Sequence, residues 1–212
     1  MDTSLLIHGY GIKRTAPLFY KTLISDGGFL IFSDLIKQKR AQVFDWGIRR
    51  HFTLTEQLNP LKTITLYKDE KNLAKSKDLL SSLDRQLQVA RPSTIVCHSL
   101  GAYLFLNYLK THSLPKYIKH IFFVQADIPD NLLENLSKNS SLKVSNIYCP
   151  WDYKLWGSFL LNRRVPIGIK RAKTKGVDNH LLPVSLIGVH TNGIRKNRHI
   201  ADVVSLDQDS RF

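Results

Sequence analysis

The sequence predicts an α/β fold, with a mostly parallel sheet and helices on both of its faces. Short apolar runs alternate along the chain with segments whose apolar residues recur at helical spacing. Strands that are separated by helices are usually parallel, because a parallel connection needs a long crossover. The chain has 212 residues, and 43% of them are hydrophobic, enough for a sizeable core. We therefore expect residues 1–212 to form a single domain.

In the first half of the chain, two apolar runs predict strands and two segments predict helices. The strand runs are "SLLIHG" (4–9) and "AQVFDWG" (41–47). The first helix is predicted over "TAPLFYKTLISDGG" (15–28), which ends at a pair of glycines. The second is predicted over 69–91, where leucines recur at helical spacing and Asp69 is expected to cap the start.

In the second half, "PSTIVCHSL" (92–100) predicts a strand that turns directly into a helix, "GAYLFLNYLK" (101–110). Further strands are predicted where apolar and β-branched residues cluster, and one short helix lies between them. The predicted strands cover 118–126, 143–150 and 181–189, and the short helix covers 130–139.

Ser99 lies at the turn from strand to helix, and this position favours a nucleophilic serine. A sharp turn of this kind presents the hydroxyl at the end of a sheet, where the N–H groups of the helix face developing negative charge. Gly101 would let the turn approach a neighbouring strand closely. The other interpretation is that Ser99 is an ordinary helix cap, which would need neither His98 nor Gly101 beside it.

A second glycine turn follows the first predicted strand, in "LLIHGYG" (5–11). In acyl-transfer enzymes such a loop supplies one backbone N–H to an oxyanion, and the residue after the serine supplies the other. Here these donors would be Tyr10 and Leu100. The alternative is a glycine turn with a structural histidine.

The motifs "LLIHGYG" and "VCHSLGAYL" together resemble the α/β-hydrolase family, over about residues 4–202. The most specific part runs from Cys97 to Gly101 and is similar to the small-x-Ser-x-Gly elbow, with Cys97 where most members have glycine. The resemblance implies a minimal α/β-hydrolase fold that lacks the family's first two strands and a large lid domain. It also implies the chain order serine, acid, histidine.

This order leaves two candidates for the acid and three for the base. Asp152 follows the strand predicted over 143–150 and is the preferred acid. Asp127 is the alternative, since some family members carry the acid one strand earlier. For the base, the resemblance favours His199, in "NRHIADVV", with His190 and then His180 as alternatives. His98 usually points into the protein in this family and is not a candidate.

Cysteine usage and motif spacing exclude several classes of site. Cys97 and Cys149 lie in separate predicted strands, so we expect free buried thiols. The sequence contains no zinc-site spacing, phosphate loop or dinucleotide fingerprint. We therefore expect neither a metal nor an organic cofactor.

The charge of the chain favours anionic partners. It has 31 basic and 17 acidic residues, a net charge of +14 and a pI near 9.8. Residues 163–175, "RRVPIGIKRAKTK", contain no acidic residue and should border the mouth of the site, although a solvated loop is the plainer interpretation. Contact with a membrane surface is an option, whereas no nucleic-acid recognition module is evident. With no leader pattern and no apolar run of membrane-spanning length, a cytoplasmic protein is expected.

The function predicted from these features is hydrolysis of a carboxylic ester or thioester through an acyl-enzyme on Ser99. The substrate would be a small ester or acyl compound, which the basic charge suggests is anionic. Two alternatives stay open: a non-catalytic basic binding module with a hydrolase fold, and an acyltransferase. Neither the natural substrate nor the oligomeric state follows from the sequence.

Overall fold

The computed structural model of the protein contains a six-stranded parallel sheet with helices packed against it. It describes residues 3–9, 14–15, 29–48, 50–51, 59–182, 190, 194 and 198–209. Almost all of the helix predicted over 15–28, and most of the strand predicted over 181–189, lie outside these residues.

The described elements alternate between strands and helices along most of the chain. The strands are β1 (Ser4–Ile7), β2 (Arg14–Thr15), β3 (Ala41–Phe44), β4 (Arg50–His51), β5 (Thr94–His98), β6 (His120–Val124), β7 (Lys143–Tyr148) and β8 (Val177–Leu181). The α-helices are α1 (Ser33–Lys37), α2 (Pro60–Leu73), α3 (Lys77–Ala90), α4 (Leu100–Thr111), α5 (Glu134–Ser137), α6 (Tyr153–Asn162) and α7 (Arg198–Asp209). β2 and β4 pair as a separate two-stranded ladder.

The order of strands in the main sheet is β3-β1-β5-β6-β7-β8, and all neighbouring pairs are parallel. The chain passes from β1 to β3 on one side and then crosses to β5 on the other side of β1. Such a reversal opens a crevice at the carboxyl ends of the two central strands. In the register of β1 and β5, Ile7 pairs with Cys97, so the two predicted glycine turns leave the sheet side by side.

Two buried apolar clusters cover the two faces of the sheet. Successive side chains of a strand point to opposite faces, so Leu5 and Ile7 belong to one cluster and Leu6 belongs to the other. The first cluster includes buried residues of α3 and α4, and the second includes residues of 29–36 and of α7. Helices therefore pack on both faces, as the sequence predicted.

The helix predicted over 69–91 is in fact two helices. α2 begins at Pro60 and is capped by Asn59, whose Oδ1 accepts from the N–H groups of Leu61 and Lys62 at 3.0 and 3.4 Å. Asp69 lies inside α2, so its predicted capping role is wrong. The chain leaves the helix at residues 74–76, with Ser76 extended, before α3 begins. Leucines recur at helical spacing on both sides of this turn, which concealed it.

Two further differences lie near the carboxyl end of the chain. The last described strand, β8, spans Val177–Leu181 and shares only Leu181 with the strand predicted over 181–189, so residues 177–180 form a strand that was not predicted. A helix that was not among the predicted elements, α6, starts directly after Asp152. The sequence does contain a helix pattern here. An aspartate precedes a segment whose inward residues, Leu155, Ser158 and Asn162, are three and four residues apart.

Candidate active site

Ser99 lies in a strained turn between β5 and α4. Its backbone has φ 52° and ψ −121°, and a positive φ costs energy in any residue with a Cβ. The N–H of Ser99 donates to the carbonyl of Val124 at 3.1 Å, and its own carbonyl accepts from the N–H of Asp127 at 3.1 Å. The end of β6 therefore holds the turn from one side.

Two glycines allow this turn to approach the end of β1. A Cβ at Gly101 would lie 2.3 Å from the carbonyl oxygen of Ile7 and 2.5 Å from that of His8. A Cβ at Gly9 would lie 2.7 Å from the Cβ of Ser99. No side chain fits at either position, so the predicted reason for Gly101 is confirmed.

Ser99, His190 and Asp152 form a chain of hydrogen bonds between buried side chains. Nε2 of His190 lies 2.9 Å from Oγ of Ser99, and Nδ1 lies 2.6 Å from Oδ2 of Asp152. A carboxylate can only accept, so Nδ1–H of His190 donates to it. Nε2 then carries no proton and accepts the hydroxyl hydrogen of Ser99. The arrangement is able to withdraw a proton from the serine.

The histidine between Ser99 and Asp152 is His190, the alternative base, and not the preferred His199. His199 is half-buried in the first turn of α7. His180 lies in β8, opposite Ile147. His190, and neither His199 nor His180, is therefore placed to accept the hydroxyl proton of Ser99. The local sequence around each histidine could not decide this, because the contact depends on the path of the chain after β8.

Asp152 is fully buried, and both of its carboxylate oxygens accept hydrogen bonds. Oδ2 accepts from His190 and from Nε2 of Gln125, the latter at 2.7 Å. Oδ1 accepts from the N–H groups of Lys154 and Leu155 at 3.2 Å each, which makes Asp152 the N-cap of α6. A buried charge needs such partners, and the start of the helix adds a favourable dipole. The carboxylate is thereby oriented towards His190.

Asp127, the alternative acid, directs its carboxylate elsewhere. It accepts from the hydroxyls of Tyr67 at 2.6 Å and Ser158 at 2.7 Å. Asn162 donates to the same two hydroxyls at 3.0 and 2.9 Å. Burial, and then the charge of Asp127, raise the pKa of Tyr67, so its hydroxyl stays protonated and donates. We call these four residues the Asp127 cluster; they join α6 to α2.

Sequence reasoning missed Gln125, which contacts Asp152. The residue follows β6 directly, is fully buried and has φ 43°. The sequence feature that could have identified Gln125 is a polar residue within the apolar run "IFFVQA". A buried amide in such a place usually has a specific hydrogen-bond partner, and here that partner is the carboxylate.

His98 lies behind His190 and supports its backbone. Nε2–H of His98 donates to the carbonyl of His190 at 3.2 Å, and the ring centroids lie 4.8 Å apart. Burial first, and the nearby His190 second, lower the pKa of His98 well below its ordinary value of 6.5. The ring of His98 is therefore a neutral donor inside the protein.

Of the two predicted oxyanion donors, Tyr10 lies outside the described residues. Leu100 is the first residue of α4, and the N–H groups of a first turn have no acceptor within their own helix. The turn before Tyr10 is packed by Trp46, whose Nε1–H donates to the carbonyl of His8 at 2.9 Å and whose ring stacks on that of His8.

Cys97 and Cys149 are free and buried, as predicted, and burial raises the pKa of both thiols. Within the described ranges, no group of three or more His, Cys, Asp or Glu residues is placed to hold a metal ion. The helices of the same ranges are all too short or too polar to cross a membrane.

A comparison of the sequence with models of protein families finds no match, and a comparison with curated proteins finds none either. The function has to be inferred from the arrangement of the side chains.

Proposed function

We propose that the protein is a serine hydrolase of the α/β-hydrolase type that cleaves a carboxylic ester or thioester. The observation that carries the proposal is the hydrogen-bonded chain from Ser99 through His190 to Asp152, with donor–acceptor distances of 2.9 and 2.6 Å. These side chains lie at the carboxyl ends of β1 and β5, and open α/β sheets bind ligands at the carboxyl ends of their strands. The strained backbone of Ser99 supports the same conclusion, since a nucleophile elbow has this conformation.

In the proposed reaction, Oγ of Ser99 attacks the acyl carbon while Nε2 of His190 takes the hydroxyl proton. Asp152 holds the imidazole in the required tautomer and stabilises its cationic form. The N–H of Leu100, together with that of Tyr10, would bind the tetrahedral oxyanion.

The intermediate then collapses, and the bond to the leaving alcohol or thiol breaks. His190 gives its proton to that group, which leaves the acyl chain esterified to Ser99. A water molecule attacks this ester and gives a proton to His190. Breakdown of the second intermediate releases the acid and returns the proton to Ser99.

Two buried side chains position this machinery without contacting the reacting atoms. Gln125 donates to the Asp152 oxygen that faces His190, and His98 donates to the backbone of His190. In metal sites and active sites alike, such supporting hydrogen bonds fix the orientation of the working ligand or base. The proposal needs no cofactor.

Covalent labelling by a fluorophosphonate probe, together with hydrolysis of a short p-nitrophenyl ester, tests the proposal. Wild-type protein should be labelled, and Ser99→Ala should lose the label and lower the hydrolysis rate by about 10³-fold or more. Ser158→Ala is the matched control, because both serines are 5% exposed. It should keep the label.

Activity retained by Ser99→Ala would rule out the serine as nucleophile. If folded wild-type protein neither reacts with the probe nor hydrolyses esters, the non-catalytic binding module is the better account. Labelling with faster transfer of the acyl group to an added alcohol than to water would instead indicate an acyltransferase.

A further inference from the structure

Six of the ten exposed large apolar side chains in the described part of the chain lie between residues 151 and 165. They are Trp151, Tyr153, Trp156, Leu160, Leu161 and Val165. Leu160 is 75% exposed and Trp151 67%. Isolated exposed apolar residues are ordinary on a soluble protein, but a contiguous group usually marks a surface of interaction. We call this group the α6 face.

We propose that the α6 face docks the protein on the surface of an anionic phospholipid bilayer. α6 has a buried side that joins it to the rest of the fold and an exposed side that is apolar. Leu155 and Ser158 lie on the buried side, whereas Tyr153, Trp156 and Leu160, spaced by three and four residues, lie on the exposed side. Trp156 of this stripe donates its Nε1–H to the carbonyl of Pro150 at 2.9 Å and lies edge-on to Phe159, so its indole is held at the surface while remaining 45% exposed.

The basic side chains near the α6 face indicate that its partner is negatively charged. Exposed Lys154, Arg163 and Arg164 lie within the same segment, and Arg171 and Lys173 follow shortly. The sole acidic residue in 151–175 is Asp152, whose carboxylate is buried and bonded to His190. We call Lys154, Arg163 and Arg164 the basic rim, and such cations beside apolar side chains are complementary to anionic headgroups above a hydrocarbon layer.

The residue types favour a bilayer over a second copy of the chain. A symmetric dimer through this face would bring the arginines of both copies together, in a chain with a net charge of +14. Tryptophan and tyrosine flanked by Lys and Arg are instead typical of groups that lie at the headgroup level, with the leucines inserted below. An acidic protein would satisfy the cations, but it would have to supply an apolar groove as well.

Docking would also bring the candidate active site to the lipid surface. α6 begins directly after Asp152, so the face and the hydrogen-bonded chain share one element. A bilayer-resident acyl ester is then the substrate class, and this last step rests on the proposed function. Docking itself does not involve Ser99. Its test therefore uses the Ser99→Ala protein, so that failure of docking and failure of the chemistry are distinguishable.

The test is co-sedimentation with vesicles of phosphatidylcholine alone and of phosphatidylcholine mixed with phosphatidylglycerol. The protein should sediment with the mixed vesicles only. Its tryptophan emission should shift to the blue, because Trp151 and Trp156 are exposed whereas Trp46 is 1% exposed. Leu160→Ser/Leu161→Ser should weaken binding by about 10-fold or more. Leu61→Ser/Val89→Ser, which alters side chains 72% and 84% exposed elsewhere, should bind normally.

A second pair of variants tests the basic rim, with the same change of net charge in both. Arg163→Glu/Arg164→Glu should lose binding to the mixed vesicles, whereas Lys77→Glu/Arg85→Glu should keep most of it. Circular dichroism confirms that each variant is folded. Failure of the parent protein to bind mixed vesicles would overturn the proposal, as would equal effects of the two members in either pair. Dimerisation or capture of an acidic protein through the leucines, without vesicle binding, would also overturn it.

Discussion

At the scale of the residue, Asp152 connects the chemistry of the site to the position of a helix. One carboxylate oxygen accepts from the first turn of α6, and the other accepts from His190 and Gln125. The imidazole therefore cannot be oriented independently of the start of α6. Because the carboxylate is fully buried, its loss would also leave these donors without a partner.

Replacing His190 and His199 one at a time tests which of the two histidines is the base. His190→Ala should lower kcat/KM for a p-nitrophenyl ester by about 10³-fold or more, because the base and Ser99 act as a unit. His199→Ala should change it by less than about 10-fold, since His190 occupies the position between Ser99 and Asp152.

Circular dichroism of both histidine variants distinguishes lost chemistry from lost folding. An inactive but folded His199→Ala protein, with an active His190→Ala protein, would return the assignment to His199. The hydrogen bonds seen around His190 would then have only a structural role.

At the scale of the element, α6 is fixed at both ends by hydrogen bonds between polar groups. Asp152 caps its start, and the Asp127 cluster joins its later turns to Tyr67 of α2. Nζ of Lys71 adds a hydrogen bond to Oδ1 of Asn162 at 2.5 Å. Burial is the main cause that lowers the pKa of Lys71, and the charge of Asp127 opposes it. A helix with an apolar outer side is thus held by polar contacts on its inner side.

Loss of the Asp127 carboxylate should therefore destabilise the fold without removing the nucleophile. Asp127→Ala should lower the free energy of unfolding by about 2–4 kcal/mol, because two hydroxyls lose a charged acceptor. Asp69→Ala, which removes an exposed carboxylate of α2, should change it by less than about 0.5 kcal/mol. Urea unfolding measures both.

Probe labelling of the same two proteins checks the role of Asp127 in the site. Labelling at Ser99 should persist in folded Asp127→Ala, since the carboxylate that contacts His190 belongs to Asp152. If labelling disappears while stability is unchanged, Asp127 is the acid and its bonds to Tyr67 and Ser158 are incidental.

At the scale of the whole molecule, the reversal of strand order determines where the site lies. β1 is the pivot, with β3 on one side and β5 on the other, and both glycine turns leave the sheet at its centre. The candidate base and acid come from chain that follows β8 and β7. All of them converge on the same edge, because every strand of the main sheet runs in the same direction.

Protonation of His98 should make the stability of the whole molecule depend on pH. Burial, and next His190, lower the pKa of His98 in the folded state below 6.5, the value near which the unfolded chain binds a proton. Between these two pKa values the unfolded state binds more protons. The stability contributed by neutral His98 is therefore complete above about pH 6.5 and is lost as the pH falls.

Urea unfolding of wild type and His98→Gln at about pH 7.5 and about pH 5.5 tests this dependence. The free energy of unfolding should fall more steeply for the wild type, so the variant should cost less stability at the lower pH. An equal cost at both pH values would show that His98 takes up its proton in the folded protein as readily as in the unfolded chain.

The central strands of the sheet and the turn at Ser99 could be predicted from the sequence. β1, β5, β6 and β7 are short apolar runs that end in polar or glycine residues, so their signals are local. Such features depend on neighbouring residues, which any window of the sequence contains.

Only the folded structure shows which histidine contacts Ser99, which acid contacts that histidine, and that one predicted helix is two. The contact of Ser99 with His190 joins residues 91 positions apart, and that of His190 with Asp152 joins residues 38 apart. His190 and His199 look alike locally, as do Asp152 and Asp127, since each follows or precedes a predicted element. Which of them meet depends on the path of the intervening chain, and that path is set by packing over the whole sheet rather than by any local pattern.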